Sequence, residues 1–467
     1  MSSTTDLRNE RGQIIVIFAA SLIVIFSVAA LVFDGGMMLL EKRAQQNAGD
    51  AAALAGARFL PGDPTAAADA AAAIATANGF THGVDEQTVT INIPPVNGPN
   101  AGNAGYIEVL IDNETPSFFA GIWGIFGHDV GSRAVAANQT GVLGPFAMLS
   151  LNPTACPAVD IGGSGELTSN GTIQVNSTCN TGQGAMFLHG TGEVVTASGV
   201  NCNVVGEFNA TPGADYDCPV PPGVTAIPDP FAGLTEPPIP TDGGGAIIYP
   251  DAPEHISGSP TMIPSGCPGG SAAATDAAPQ LCQFTASYNT STWRLFPGYY
   301  PGGLRFQGGT YYLEPGIYYM GGGGFAMNGT SVSITSVDAG TTSLGGGVLL
   351  YNGNHDTAAS GTITLNGGGS ETHLYPLDDG SEWDGIGVFQ DREVCEDATF
   401  NGADTVLEIR GLIYIPCGLL TANGNGGSII VDQIVADTFK MTGSGGSLTV
   451  AFDEDFLPTL SVAGLVE

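Results

Sequence analysis

Six histidines, at positions 82, 128, 189, 255, 355 and 373, are the first places to look for chemistry, and their spacing argues against it. None stands in an HExxH or His-x-His pair, so a metal-binding pair on one helix or strand is not encoded. No serine lies in a Gly-x-Ser-x-Gly elbow, and the run Gly321 to Gly324 lacks the lysine of a phosphate-cradling loop. One carboxylate cluster remains: Asp378, Asp379, Glu382, Asp384 and Asp391. Paired carboxylates can act as acid and base on a glycan or ligate calcium. The spacing fits no calcium-loop signature, and a solvated acidic loop has the same composition. A lyase acting on an acidic polysaccharide would also need basic side chains to hold substrate and developing negative charge. Beyond residue 60 there are only Arg133, Arg294, Arg305, Arg392, Arg410 and Lys440. The expectation is therefore a protein that is not an enzyme, with no catalytic, metal-binding or cofactor-binding residue. Three tyrosine pairs, Tyr299-Tyr300, Tyr311-Tyr312 and Tyr318-Tyr319, could form a sugar-stacking or protein-docking patch. Strand residues alternating between two faces would give the same pattern.

These residues sit on an unusual background. The chain has 467 residues, 45 acidic against 11 basic, and a formal net charge of −34. Five of the basic residues fall before residue 61, so the distal region carries the acidic excess. Such a surface repels nucleic acid and anionic headgroups, which excludes a phosphate-backbone partner. The 70 glycines follow no collagen period, and 43% hydrophobic content is too high for disorder, which points to short buried strands joined by tight turns. Eight cysteines (156, 179, 202, 218, 267, 282, 395, 417) all lie in the distal region, with no CxxC spacing. They suggest disulfides in an oxidising compartment, with buried thiols as the alternative. Neighbour pairing is expected: 156–179, 202–218, 267–282 and 395–417.

The element that must hold all this is near the start. Residues 14–33, IIVIFAASLIVIFSVAALVF, carry no charge, and as a helix would span about 30 Å, the thickness of a bilayer core. A cleaved signal peptide has a shorter apolar core of about 7–15 residues, so an uncleaved single-pass anchor is expected. The flanking charges, Arg8 and Arg11 before and Lys42 and Arg43 after, do not decide orientation. The cysteines and acidic bulk place residues 1–13 in the cytoplasm as a tail and the remainder outside the cell. After the anchor, Ala44, Ala48, Ala52 and Gly56 form a small-residue stripe at helical spacing. It serves either a partner helix or packing within its own domain. Asp63-Pro64 marks a helix start and Asn78-Gly79 its end. Alternation in EQTVTINI and YIEVLID predicts strands, and TPSFFAGIWGIFG a short apolar helix or loop. Residues 34–140 thus read as a small α+β domain.

The segment ERGQIIVIFAASLIVIFSVAALVFDGGMMLLEKRAQQNAGDAAALAGARFL resembles the N-terminal segment of the TadG-like family of Tad (Flp) pilus-assembly proteins. The resemblance rests on Arg-Gly before the apolar run, on Asp34, and on Gln46, Ala48, Asp50, Ala51 to Ala53, Leu54, Ala55, Gly56 and Ala57. It covers about 140 residues and implies an envelope protein of an adhesive pilus system, with pilus-assembly partners through the N-terminal helix. A minor pilin is a further alternative. Type IV-like prepilins are cut after a glycine and carry Glu at position 5 of the mature chain; cleavage after Gly12 would leave Ile17 there.

From residue 145 to 467 short strands alternate with Asn-Gly and Gly-Gly turns, with turn-to-turn spacing of roughly 20–25 residues in the last third, close to one solenoid coil. An all-β right-handed parallel β-helix is expected, with a β-sandwich as the alternative. Residues 218–301, rich in proline, read as an insertion strapped to it or a linker. The whole is expected to be multidomain, with the lipid bilayer, pilus-assembly proteins and a surface glycan or protein ligand as partners.

Overall fold

The computed structural model describes residues 11–60, 63–84, 87–142, 146–242, 244–329, 331–336, 347–355, 359–367 and 371–465. The cytoplasmic-tail expectation for residues 1–13 falls mostly outside them. The chain forms two compact units, one of residues 1–141 with 461–467, the other of 142–460.

In the first unit, helix α1 (Arg11–Ala57) is 47 residues long, about 70 Å at 1.5 Å per residue. The sequence places a domain boundary after residue 33, but the helix runs through Gly35 and Gly36 unbroken. Each glycine costs roughly 1 kcal/mol of helix propensity, an amount that propagation from both sides overcomes. Helix α2 (Pro64–Ala77) starts where Asp63 accepts hydrogen bonds from the amides of Thr65 (3.0 Å) and Ala66 (2.9 Å). Strands β1 (Thr88–Asn92), β2 (Tyr106–Pro116) and β3 (Gly127–Val142) form an antiparallel sheet. The C-terminal strand Thr459–Leu465 joins it beside β3, instead of ending the distal region as the sequence suggested.

From Ala48 onwards the small-residue stripe is consumed inside this unit, whereas Ala44 stays exposed. Ala48 and Ala52 are buried with Ala67, Ala71, Ala75 and Ile107 in one core. A Cβ on Gly56 would lie 2.5 Å from Ile107 Cδ1 and 2.7 Å from the Ala67 carbonyl oxygen. Gly56→Ala is therefore expected to destabilise the unit by about 1–3 kcal/mol through overpacking, although Ala is the better helix former. A lowered unfolding midpoint in urea checks this.

Glu108 is the buried charge of the sheet. It is fully inaccessible, pairs with Arg133 Nε at 2.7 Å, and accepts from Asn92 at 2.8 Å and the Val96 amide at 3.1 Å. Burial works to raise its carboxyl, but the bonds from Arg133, Asn92 and Val96 prevail and hold it below the ordinary range. A depressed acid contributes stability above its unfolded pKa of about 4.3, which disappears as pH falls through the lower folded value. Amide-exchange protection of β1 and β2 is expected to fall in that acid window, and Glu108→Gln to flatten the dependence.

In the second unit the strands pair in parallel, generally each with the strand three places on in sequence; the one antiparallel pair among its described strands joins Glu254–Ser257 to Thr292–Leu295. Three strands thus make one circuit, and alternate residues point into a continuous core. The register stacks like on like: Tyr299, Tyr319, Tyr351, Phe389, Tyr414, Val435, Leu149 and Gln174 form one column. At about 4.8 Å per step, its seven steps extend roughly 34 Å. Asn401 donates to Asn366, and Asn423 to Asn401 at 2.7 Å, a second ladder at a turn. A glycine column marks another turn: Gly443, Gly163, Gly190 and Gly213 all have positive φ. A Cβ on Gly163 would lie 2.4 Å from the Gly443 carbonyl oxygen. Only glycine meets both demands at once.

Coil order does not follow chain order. Residues 146–216 build coils from the point of entry towards one end, whereas residues 282–450 build coils that finish against the first strands of the unit. Met441 pairs with Ile161, Ala436 with Ser150 and Val450 with Ser169. Residues 217–281 join the two runs. The strands resume at Cys282–Phe284, so 282–301 belongs to the coils and not to the proline-rich interruption.

Candidate functional site

The histidines do not converge. His189 faces Asp160 at 3.1 Å, His355 faces Asp276 at 2.9 Å, and His373 faces Glu408 at 2.8 Å. His255 packs edge-on against Trp293, and His82 accepts from the Val89 amide at 3.3 Å. Among the described residues no group of three or more His, Cys, Asp or Glu side chains could hold a metal ion.

The acidic cluster is split. Asp378 and Asp384 line a cavity of about 410 Å³ with Tyr375, Glu454, Asp455 and Phe456. Burial, then the charges of Asp378 and Asp379, pushes the Asp384 carboxyl up. Glu382 instead bonds Thr235, while Asp391 accepts from the Glu393 amide at 2.8 Å and from the Tyr351 hydroxyl at 3.1 Å. Glu454 and Asp455 reach this cavity from a distant stretch that no local spacing could reveal. Five of the six basic side chains beyond residue 60 pair with carboxylates: Arg133 with Glu108, Arg294 with Glu314, Arg392 with Glu236, Arg410 with Asp432, and Lys440 with Asp160.

The tyrosine pairs separate into two faces. Tyr300, Tyr311 and Tyr318 point into the interior core. Tyr299 and Tyr319 point outwards, into the aromatic column continued by Tyr351, Phe389 and Tyr414, with neighbouring rings 4.7–5.5 Å apart. This outer column is covered. Residues 217–281 lie along it, and Ile227, Phe231, Leu234, Ile239 and Ile247 pack with it as a second core. The order of contacts gives the path: Asn176 Nδ2 to the Ile227 carbonyl at 2.7 Å, Tyr414 to Asp229 at 2.6 Å, Trp383 Nε1 to the Thr235 carbonyl at 2.8 Å, and Tyr299 to Asp276 at 2.8 Å. The segment is thus a strap running from one end of the coils to the other. Burial raises the hydroxyl of Tyr319 to about 12, and those of Tyr299, Tyr351 and Tyr414 still further. The column is structural: the pairs follow the alternation of strand residues, and the outward face on which Tyr299 and Tyr319 could have formed a docking patch is occupied by the chain itself.

The cysteines pair as expected: Cys156–Cys179, Cys202–Cys218, Cys267–Cys282 and Cys395–Cys417. Two of these bonds, Cys202–Cys218 and Cys267–Cys282, fasten the two ends of the strap.

What stands exposed is α1. From Ile14 to Phe33 its large apolar side chains face outwards, and the helix is long and apolar enough to cross a membrane. Where that stretch ends, Asp34 is buried, and its carboxylate accepts hydrogen bonds from the amides of Phe118 (3.0 Å), Phe119 (3.1 Å) and Ala120 (2.6 Å). The spacing of the sequence marked Asp34 only as the end of the apolar run; its partners, over 80 residues on, were not legible.

Residues 12–58 match the family model of Flp pilus-assembly TadE/G-like proteins. The N-terminal segment is similar to that family over these residues. No curated protein and no solved structure shows significant similarity to the chain.

Proposed function

We propose that this is a single-pass membrane protein associated with Tad/Flp pilus assembly, in which a rigid acidic ectodomain acts as a non-enzymatic spacer or adhesive surface. The observation that carries this reading is the outward-facing apolar helix at residues 14–33, inside the segment that matches the TadE/G-like family. A helix whose large apolar side chains are uncovered over the thickness of a bilayer is stable only in lipid or against a partner. The four disulfides and the charge of −34 favour an oxidising exterior for residues 34–467 and a cytoplasmic N-terminus.

The distal unit is read as a parallel β-helix, supported by three-strand circuits in parallel register, and right-handed by the general handedness of parallel crossovers. Such a stack bears load along its axis because every coil is hydrogen-bonded to the next. The test is fractionation with thiol titration. Recovery in the membrane fraction without free thiols supports the reading; a cytoplasmic protein with reduced cysteines overturns it.

A membrane-tethered, polysaccharide-active enzyme is the second reading, favoured by the raised carboxyl of Asp384 in its cavity. Activity on a glycan panel that is lost in Asp384→Asn would establish it, and inactivity across the panel leaves the structural role. Mass spectrometry of the mature N-terminus distinguishes a minor pilin, which would begin at Gln13.

A further inference from the structure

We infer that the loop between β2 and β3, residues 117–126, is a second membrane contact that enters the lipid interface beside α1. The inference rests on the anchoring proposed above and concerns what lies next to the anchor.

Three observations carry it. The first is position. Asp34 follows directly on the apolar run, and its carboxylate takes the amides of Phe118, Phe119 and Ala120, while the Phe33 and Phe119 rings meet edge-on at 5.6 Å. The loop is therefore tied at the level where the anchor leaves the bilayer core. The second is composition. Residues 115–127, TPSFFAGIWGIFG, carry no charge in a chain with 45 acidic residues. Phe118 is 80% exposed and Phe126 76%, and on the facing helix Met37 and Leu40 are also uncovered. Large apolar side chains presented together at the end of a membrane helix are suited to the headgroup and upper acyl region. The third is satisfaction of the backbone. An amide without a partner is costly at the edge of hydrocarbon. Here Asp34 serves three of them, and the Ser117 amide bonds the Phe126 carbonyl at 2.9 Å to close the loop. Between helix and loop lies an open recess of about 420 Å³; Asp34 and Ser117 stand in its wall, and Phe33, Met37, Pro116, Phe118 and Phe119 give it an apolar lining suited to a lipid chain segment.

The consequence is orientation. A single helix leaves its domain free to tilt and swing; a second contact on the same unit fixes how the sheet meets the membrane.

The test uses the full chain in phosphatidylcholine vesicles. All eight native cysteines are paired, so a single added cysteine labels specifically. An environment-sensitive fluorophore is placed at Phe118→Cys, at Phe126→Cys, or at Val96→Cys as control. Val96 is exposed and bonds Glu108, eight residues along β2 from Pro116 and thus about 26 Å away. Expected is loss of emission to nitroxide-labelled lipid, and protection from aqueous iodide, at 118 and 126 but not at 96. Iodide quenching at 118 and 126 equal to that at 96 overturns the inference. Protection from both quenchers also overturns it, because a protein surface would then cover the loop. Flotation of the same samples keeps the two readings apart. Protein that floats with unquenched loop probes sinks this inference alone, whereas protein that stays behind sinks the anchor as well.

Discussion

Replacing Arg410 by methionine is expected to destabilise the distal unit by about 3–5 kcal/mol, the usual cost of leaving a buried charge without its partner. Asp432 is that charge: its side chain is fully buried, with Arg410 Nε at 2.9 Å and the Gly411 amide at 2.7 Å. Arg410 also reaches Glu408 at 3.2 Å and Asp453 at 2.9 Å, and its guanidinium lies 4.3 Å from the centroid of Phe456. Burial pushes the Asp432 carboxyl up even with the arginine present. Without Arg410 that push is unopposed by the side chain, so the loss should be greatest at neutral pH. It should shrink on acidification, because a raised folded-state pKa favours the native state once the group is protonated. Urea midpoints across pH provide the measurement. Adding Asp432→Asn to Arg410→Met should recover much of the loss, because the amide oxygen still accepts from Gly411 without a charge. If the double variant is no better than the single one, the cost lies in the lost packing of Arg410 on Phe456 and not in the stranded carboxylate.

Phe231→Ala is expected to cost about 3–5 kcal/mol and to free the strap. Phe231 is fully buried, with its ring 5.6 Å from Tyr414, and the carbonyl groups of Phe231 and Leu234 accept from Arg392. It is the strap residue that enters deepest among the outer aromatics. Once it is removed, the stretch held by Asp229, Thr235 and Glu236 loses its apolar anchor while both ends stay fastened by disulfides. Limited proteolysis should then cut within 219–250 at protease levels that leave the parent chain whole, and the two fragments should separate on a denaturing gel without reduction, because no disulfide spans the cut. Met262→Ala, at a strap residue that is 76% exposed, should change stability by no more than about 0.5 kcal/mol. Equal protease resistance of Phe231→Ala and the parent would mean that the polar contacts alone hold the strap.

Much of this was legible locally, because local features depend on neighbours in the chain. The apolar run of α1, the Asp63 cap, the alternation in β1 and β2 and the neighbouring disulfides all follow from residues within about 25 positions of one another. The tyrosine pairs also announced two faces, since adjacent strand residues must point opposite ways. Which face would be wet was a separate matter. An outward column of Tyr299, Tyr319, Tyr351, Phe389 and Tyr414 looks like a platform until the strap is laid over it.

By itself, then, the sequence determined a long uncovered apolar helix, an acidic disulfide-bonded body and a repeating strand-and-turn rhythm. Each is a property of composition or short period, and no competing long-range contact could cancel it. Only the tertiary structure decided the order in which the coils stack, the return of the last strand to the first sheet, and the union of Asp34 with amides over 80 residues away. These depend on which surfaces remain unburied after local structure has formed. Burying the outer aromatics required a strap, and satisfying the buried carboxylate required a loop, and neither partner is marked in the chain near the group it serves.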